Sequence, residues 1–584
     1  MSPKHTTGTI LETTTIAMAM NGTAIAEDGH HGLFSVKWPD ILSRTSSKYL
    51  VLTILLFIFY RAFFSTKSRP LLPITMPLDI IITSVCVTAG GWPQKFRNVF
   101  RRYGGPLYGF SGMHQVIYDP NIGGPLLISG QPNHALESRT VMWSLFMRVG
   151  GTNKEDGETL HTKWQAAHKD LLAALERTFL NEHGAAGALT DGDIPKRIAS
   201  LISYVDGNVK SSLKGWERTA NIKVTRPDTP EQPGIVEVDL MNLLRDFGAH
   251  MAISLLFGEE WLARYPECIE DLWKFEEQVL FLSLGLPRWI PLRSFKEGDK
   301  ARNRMTDRVG ELFKQISDYQ DGAISGDELR DVPAVSFERS KVFRKYDVSN
   351  YHRAVIETSL LLGQNSNTQR ATSWLIIFIC CTPGLLQQIR DEVAPFVLVE
   401  RDTDTNRHKI THFDHLSIHN KCPLLKAAFY ETFRLTNETT SVRHVSRPVE
   451  VPMSTSSENP STHTLPQGTW VTVLHHLVQH DPTIFPDPKK FVPDRFLQTH
   501  PDTGEKVARP GCMKPWGVGS GMCRGRTYAE KQVMAIAAAF VTLYDVQPLG
   551  GNGGVMEAPQ GLPGTGTKVP KEGIRVSLRR REFI

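Results

Sequence analysis

The stretch Lys514–Gly525, KPWGVGSGMCRG, sets Cys523 behind Trp516 and three glycines, Gly517, Gly519 and Gly521, and just ahead of Gly525. A thiolate is the form of cysteine that ligates a metal or attacks an electrophile. The glycines permit positive φ and close backbone approach. Residues 525–544 read as an amphipathic helix, so Cys523 stands at a helix N-terminus, where the positive end of the dipole and free amide donors favour a thiolate. A nucleophilic cysteine would need a base, and nothing local marks a histidine as that base. A flat cofactor would need backbone clearance, and the glycines supply it.

Three other groups of residues have spacing that could carry chemistry. In a helix expected over 348–380, the apolar face is interrupted by Gly363-Gln-Asn-Ser-Asn-Thr368. Buried amides and hydroxyls without partners cost ~1–3 kcal/mol each, so this run should face a cavity, water or a ligand; as a plain helix boundary, Asn367 or Thr368 would be a cap. Glu431 and Arg434 stand at i, i+3 in LLKAAFYETFRL, with Arg495 following in FVPDRF; by itself such a pair is a solvated helix contact worth a few tenths of a kcal/mol. Trp164 and His168 stand at i, i+4, which by itself reads as ordinary packing.

The elements that must position these residues are mostly helical. Apolar-periodic stretches run over 237–257, 268–284, 299–319, 348–380, 384–397, 422–434 and 525–544, with short alternating strands at 469–476 and 574–578. The fold class is mainly α with small β-sheets. At 584 residues, 41% hydrophobic and 22% charged, the chain can bury a large core. Its seven cysteines form no CxxC pair, which argues against a disulfide framework or a structural zinc site and for a reducing compartment. A net charge of +5 without long basic tracts does not suit nucleic-acid binding.

Residues 49–64, YLVLTILLFIFYRAFF, predict a single transmembrane anchor, with Lys48 and Arg61 snorkelling to extend it. They divide the chain into a tail over 1–48, the anchor, and one large domain over 65–584. Basic residues balance across the run, so charge does not orient it; a sequon at Asn21 fits a lumenal tail.

Trp516-x-x-Gly519-x-x-x-Cys523-x-Gly525 resembles the haem-thiolate signature of the cytochrome P-450 family, with Trp in place of the usual Phe. The Glu431-x-x-Arg434 helix and the Arg495 motif precede it in the family's order. The resemblance implies the cytochrome P-450 fold, haem with Cys523 as axial ligand, and a buried network of Glu431, Arg434 and Arg495 that clamps the cysteine loop. It also implies that Trp164 and His168, the latter replacing Arg, reach the haem propionates, with Arg443 a second propionate contact. The family often has Arg or His two residues before the cysteine, where Gly521 stands. The 363–368 run then corresponds to the oxygen groove: Thr368 would hydrogen-bond oxygen on the iron, and Asn367, which replaces the usual acid, would relay protons with water, while Asn365 takes a position usually held by glycine. In this groove the chain is most similar to the branch of prostacyclin synthase and the bile-acid sterol hydroxylases.

These resemblances imply a membrane-anchored monooxygenase of the endoplasmic reticulum, its catalytic domain cytosolic. It would insert oxygen from O2 into a bulky apolar terpenoid, sterol or polyketide-like molecule of secondary metabolism. Electrons would come from an NADPH-cytochrome P-450 reductase docking near Lys514, Arg524, Arg526 and Lys531. A haem-thiolate isomerase or dehydratase working without external electrons shares every motif, and a non-enzymatic haem carrier would need only Cys523 and the fold. The polar run Thr436–Ser441 hints at an oxygenated substrate, though a plain turn explains it as well.

Overall fold

The helices arise where the periodicity places them. The computed structural model describes Leu107 to Phe583 apart from short gaps, the longest at 284–290 and 453–461, so the expected anchor at 49–64 and the Asn21 sequon lie outside the described residues. The described residues belong to one compact unit.

A five-stranded sheet has the order β1 (Leu107–Ser111), β2 (His114–Ile117), β7 (Trp470–Leu474), β6 (Thr440–Val445), β3 (Leu136–Glu137). All its pairs are antiparallel except β2 with β7, which run parallel. A second, four-stranded antiparallel sheet joins β8 (Tyr544–Pro548), β9 (Arg575–Arg580), β5 (Ile235–Asp239) and β4 (Lys223–Arg226). The expected strands at 469–476 and 574–578 are β7 and β9; the first ends early because His475–His480 tighten into a 3-10 turn.

Six helices position the site: α1 (Lys154–Leu175), α2 (Leu240–Phe257), α3 (Asn350–Asn365), α4 (Thr368–Cys381), α5 (Pro423–Thr436) and α6 (Arg526–Leu543). Local chemistry sets their starts. Asp239 caps α2 by accepting from the Asn242 N–H, Ser349 caps α3 through the His352 N–H, and Pro423 opens α5 at a position where its missing N–H costs nothing.

Three expectations need correction. The 268–284 stretch is two short helices, Cys268–Glu276 and Val279–Ser283. The 348–380 helix is two helices, α3 and α4. Ser366 and Asn367 stand between them with right-handed helical dihedrals, φ −52° and −99°, and the Ser366 N–H still donates to the Leu362 carbonyl at 3.0 Å, so the interruption leaves the backbone in helical conformation. The helix after Cys523 is not amphipathic: from Gln532 to Leu543 every residue of α6 is buried. Its alanines favour helix and let neighbours approach on all sides, and it packs against α4 and α5 as the central helix of the core. Helix α2 closes on α4 in a similar way, because a Cβ at Gly248 would lie 2.1 Å from Gln369 Oε1. Among the described residues no single helix is long and apolar enough to cross a membrane.

Candidate active site

The cysteine loop is shaped by two glycines in the left-handed region, Gly517 at φ 72° and Gly519 at φ 68°, a conformation that side chains with a Cβ adopt at a cost. The loop returns on itself where the Cys523 N–H donates to the Trp516 carbonyl at 2.9 Å. Gly525 is the N-cap of α6, so Cys523 lies two residues outside the helix. Cys523 is exposed in the loop, yet the protein around its sulfur matters. Burial pushes the thiol above its ordinary range, while the Gly525 N–H and the Arg526 charge act in the opposite direction. The expected thiolate bias of the helix end is therefore present but outweighed, since desolvating an anion costs more than one amide and a half-buried cation return. A bound metal cation would reverse that balance.

The missing side chain at Gly521 has a replacement. Arg443, buried on β6, lays its guanidinium where a Cβ at Gly521 would stand, 2.5 Å from that position, and donates to the Val518 carbonyl at 3.0 Å and the Val442 carbonyl at 2.9 Å. A cation thus reaches the loop from a strand instead of from the loop itself. His475 follows β7 and is hydrogen-bonded to Ser441 Oγ at 2.9 Å; burial, then Arg443, lower its pKa to about 4.

On α1, Trp164 is buried, with its ring edge-on to Phe146 at 4.7 Å and to His168 at 4.8 Å, and its indole N–H has no partner among the described residues. A buried donor without a partner is costly and fits an acceptor supplied from outside the chain. His168 is half-buried; burial first, then Arg139 and Arg524, lower its pKa. Arg524 itself reaches back to Glu176 just beyond α1, at 3.5 Å, an ion pair that no spacing in the sequence announces. An orphaned buried N–H, a buried guanidinium at the loop, glycines that clear the backbone and an exposed thiol together fit a flat, anionic, iron-bearing macrocycle such as haem.

Glu431 and Arg434 are wholly buried, and their pairing is bidentate: Arg434 Nε to Glu431 Oε2 at 2.6 Å and Nη2 to Oε1 at 2.7 Å. The remaining N–H groups of Arg434 reach the carbonyls of Gln479 (2.8 Å), Pro488 (2.7 Å) and Lys490 (3.0 Å). All five donors of the guanidinium are used. Glu431 Oε1 also accepts from the Val492 N–H at 2.9 Å and lies 3.4 Å from Arg495 Nε. The expected clamp therefore holds the 479–492 segment, and among the described residues it makes no hydrogen bond or ion pair with the cysteine loop. The loop is held instead by aromatic rings of the same helix and by the residues just beyond its end: Trp516 packs on Phe433 and Phe429, with centroids 4.9 and 6.4 Å away, and Thr439 Oγ1 donates to the Pro515 carbonyl at 2.9 Å. Asn437 Nδ2 reaches the same carbonyl at 3.5 Å, so at least these two polar residues of the 436–441 run are engaged with the loop.

At the break between α3 and α4 the polar residues divide. Ser366, Thr372 and Ser373 return their hydroxyls to the carbonyls four residues back, at 2.6, 2.9 and 3.0 Å. Thr368, half-buried at the start of α4, makes no such bond, and its hydroxyl has no hydrogen bond among the described residues. Asn365 is wholly buried and bonded to Leu361 O and Gln369 Nε2. Asn367 accepts from the backbone N–H of Thr567, 200 positions away in sequence, at 2.8 Å.

The cytochrome P-450 family model matches residues 214–571. Curated relatives include the cytochrome P-450 monooxygenase poxD of Penicillium oxalicum, 24% identical over 332 residues, 56% of this chain and 61% of that protein. A cytochrome P-450 monooxygenase of Gibberella zeae is 24% identical over 317 residues, 54% of this chain and 56% of the relative. The 7-alpha-hydroxycholest-4-en-3-one 12-alpha-hydroxylase of Oryctolagus cuniculus is 28% identical over 228 residues, 38% of this chain and 44% of that enzyme. The chain therefore spans about three-fifths of the length of the first two relatives. With more than half its length matched, the chain belongs to the cytochrome P-450 family, whose proteins bind haem through a cysteine thiolate.

Proposed function

We propose that this protein is a haem-thiolate monooxygenase that oxidises a C–H bond of a bulky apolar small molecule. Thiolate-ligated haem, once supplied with two electrons and O2, favours O–O cleavage and so makes an oxidant for such bonds. Cys523 holds the iron by its sulfur, and Trp516 packs the loop that carries it while Gly519 and Gly525 give the backbone clearance. Trp164 Nε1 and the Arg443 guanidinium would hold the anionic edge of the macrocycle, with His168 packed on Trp164. Thr368 offers its uncommitted hydroxyl over the groove, where it can donate a hydrogen bond and accept a proton from water in turn. Glu431, Arg434 and Arg495 fix the 479–492 segment against the helix whose Phe429 and Phe433 rings pack on Trp516 of the loop.

The observation that carries the oxygenase reading over the isomerase is the Thr368 hydroxyl. An isomerase needs no proton delivery, and there this hydroxyl could return to a carbonyl as its neighbours do. The substrate class draws support from a sterol 26-hydroxylase of Rattus norvegicus and the rabbit hydroxylase among the relatives, and from the groove's resemblance to the prostacyclin synthase and bile-acid hydroxylase branch. The relatives of Penicillium oxalicum and Gibberella zeae are monooxygenases by name, which supports oxygenation; the place in secondary metabolism is part of the proposal. We place the anchor at 49–64, the catalytic domain over 65–584 on the cytosolic face of the endoplasmic reticulum, and an NADPH-cytochrome P-450 reductase at the face of exposed Lys514 and Arg524.

The test is the reduced carbon monoxide difference spectrum of the haem-loaded protein. Cys523→Ala should abolish the thiolate-type Soret band and Cys512→Ala should retain it; the reverse result would move the ligand. With reductase, NADPH and labelled O2, one labelled atom should enter the product of a terpenoid, sterol or polyketide panel. Unlabelled product formed without NADPH would establish the isomerase instead.

A further inference from the structure

The stripe Asn367, Arg370, Trp374 lies at i, i+3, i+7 along one side of α4, and each of its members is tied, directly or through one partner, to the same C-terminal turn. Asn367 Oδ1 accepts from the Thr567 N–H at 2.8 Å. Arg370, 4% exposed, pairs with Glu276, 1% exposed, Nη1 to Oε1 at 2.6 Å, and the same carboxylate accepts from the Thr565 hydroxyl. Trp374 Nε1 donates to the Lys568 carbonyl at 2.8 Å. The turn is held from its other side by the end of α5: the Glu438 N–H donates to Gly566 O at 2.7 Å, and the Lys568 N–H to Thr436 O at 2.8 Å. A Cβ at Gly566 would lie 2.6 Å from Asn367 Oδ1, so the turn is seated against that amide.

We infer that Asn367 is a positioning residue, which straps the 564–568 turn to the opening of the groove, and not the proton relay that its place in the family pattern suggests. Its acceptor oxygen is committed to a backbone N–H, and an amide cannot ionise. The turn, Thr368 and the start of α4 meet at this point, so the strap fixes how far the turn stands from the groove and with it the room for a bulky ligand. Proton handling is left to Thr368, one residue on and about 100° further round the helix. The consequence for ligands rests on the haem-thiolate reading; the strap itself does not.

Hydrogen–deuterium exchange over peptides covering 561–570 of the haem-loaded protein reads the strap directly. Asn367→Ala should speed exchange at Thr567 by about tenfold, the loss of one partly buried hydrogen bond. Asn367→Asp, which keeps the acceptor, should restore protection. Gly566→Ala, which drives a methyl into the amide from the other side, should reproduce the alanine effect should Asn367→Ala fail to fold. The second readout is the red shift of the Soret band on azole binding. Asn367→Ala should change the Kd of clotrimazole several-fold and leave that of imidazole unchanged, because only the bulky azole reaches the turn. Unchanged exchange in both Asn367→Ala and Gly566→Ala, or equal shifts for the two azoles, would overturn the inference. Higher peroxide release per NADPH with exchange unchanged would restore the relay. Loss of the thiolate-type spectrum in the parent protein would sink the oxygenase reading while leaving the exchange result to stand on its own.

Discussion

The knot around Arg434 and the break before Thr368 are both polar intrusions into a buried helical core, yet they are built on opposite terms. At Arg434 every N–H of the guanidinium has a partner, and its carboxylate is shared with a backbone amide and a second arginine. At the break Ser366 and Asn365 are satisfied inside the helix, whereas the Thr368 hydroxyl, close by, has no hydrogen bond among the described residues. Complete satisfaction makes a fixed strut, because each lost bond leaves a buried charge or carbonyl stranded. An open hydroxyl in a half-buried position costs little to keep and is free to act on something that arrives later. The difference separates what holds the fold from what does chemistry, although both are short polar motifs on helices.

The sharpest way to break the comparison is to remove one partner of the strut. Arg434→Ala should destabilise the fold by ~3–5 kcal/mol, since it leaves Glu431 buried without its bidentate partner and with only Arg495 at 3.4 Å, and little folded, haem-competent protein should be recovered. Arg434→Lys should fail nearly as badly, because an ammonium cannot replace five donors in a planar fork. A thermal unfolding midpoint close to that of the parent would mean that the knot is ornamental.

Acid should attack the same region. His475, His476 and His480 lie on the 3-10 turn whose Gln479 carbonyl Arg434 holds, and burial lowers their pKa values to about 4, about 4 and about 3. In the unfolded chain each takes a proton near pH 6.5. The unfolded state therefore binds more protons between pH 6.5 and 4: stability is complete above about pH 6.5 and falls as pH drops through that window. Denaturant midpoints measured between pH 7.5 and 4.5 should show the fall, and His476→Gln should flatten it. A flat profile in the parent would contradict the burial of these rings.

The smallest effect on stability and the clearest on chemistry should come from Thr368→Ala. With no internal hydrogen bond to lose, it should leave the unfolding midpoint nearly unchanged, within ~0.5 kcal/mol. It should lower product formation and raise the peroxide released per NADPH consumed. Ser366→Ala, which removes a hydroxyl already returned to Leu362 O, should change neither. Should the serine variant uncouple turnover as strongly as the threonine one, the contrast between satisfied and open hydroxyls would fail.

Much of this was legible in the chain because it depends on neighbours in sequence. Helical period marked 240–257, 423–436 and 526–543 to within a few residues and 293–320 to within six at its start, the exceptions being 268–284 and 348–380, each of which divides into two helices that the period did not show. The glycine spacing marked Gly517 and Gly519 as turn formers, and the i, i+3 spacing set Glu431 against Arg434. All-round burial of α6 was not legible, because an alanine-rich helix with Lys531 and Glu530 near its start resembles a surface helix until its neighbours are known.

What tertiary structure alone decided are the partners that lie far apart along the chain. Gly521 looked like a lost cationic contact, and only packing shows Arg443 of β6 filling that volume from 78 positions upstream. Asn367 looked like a weakened acid, and only the fold brings Thr567 onto its oxygen. Periodicity and capping are local physics, written in residues a turn apart. A hydrogen bond between distant segments leaves no period behind, since either residue could have met many partners and the folded backbone chooses one.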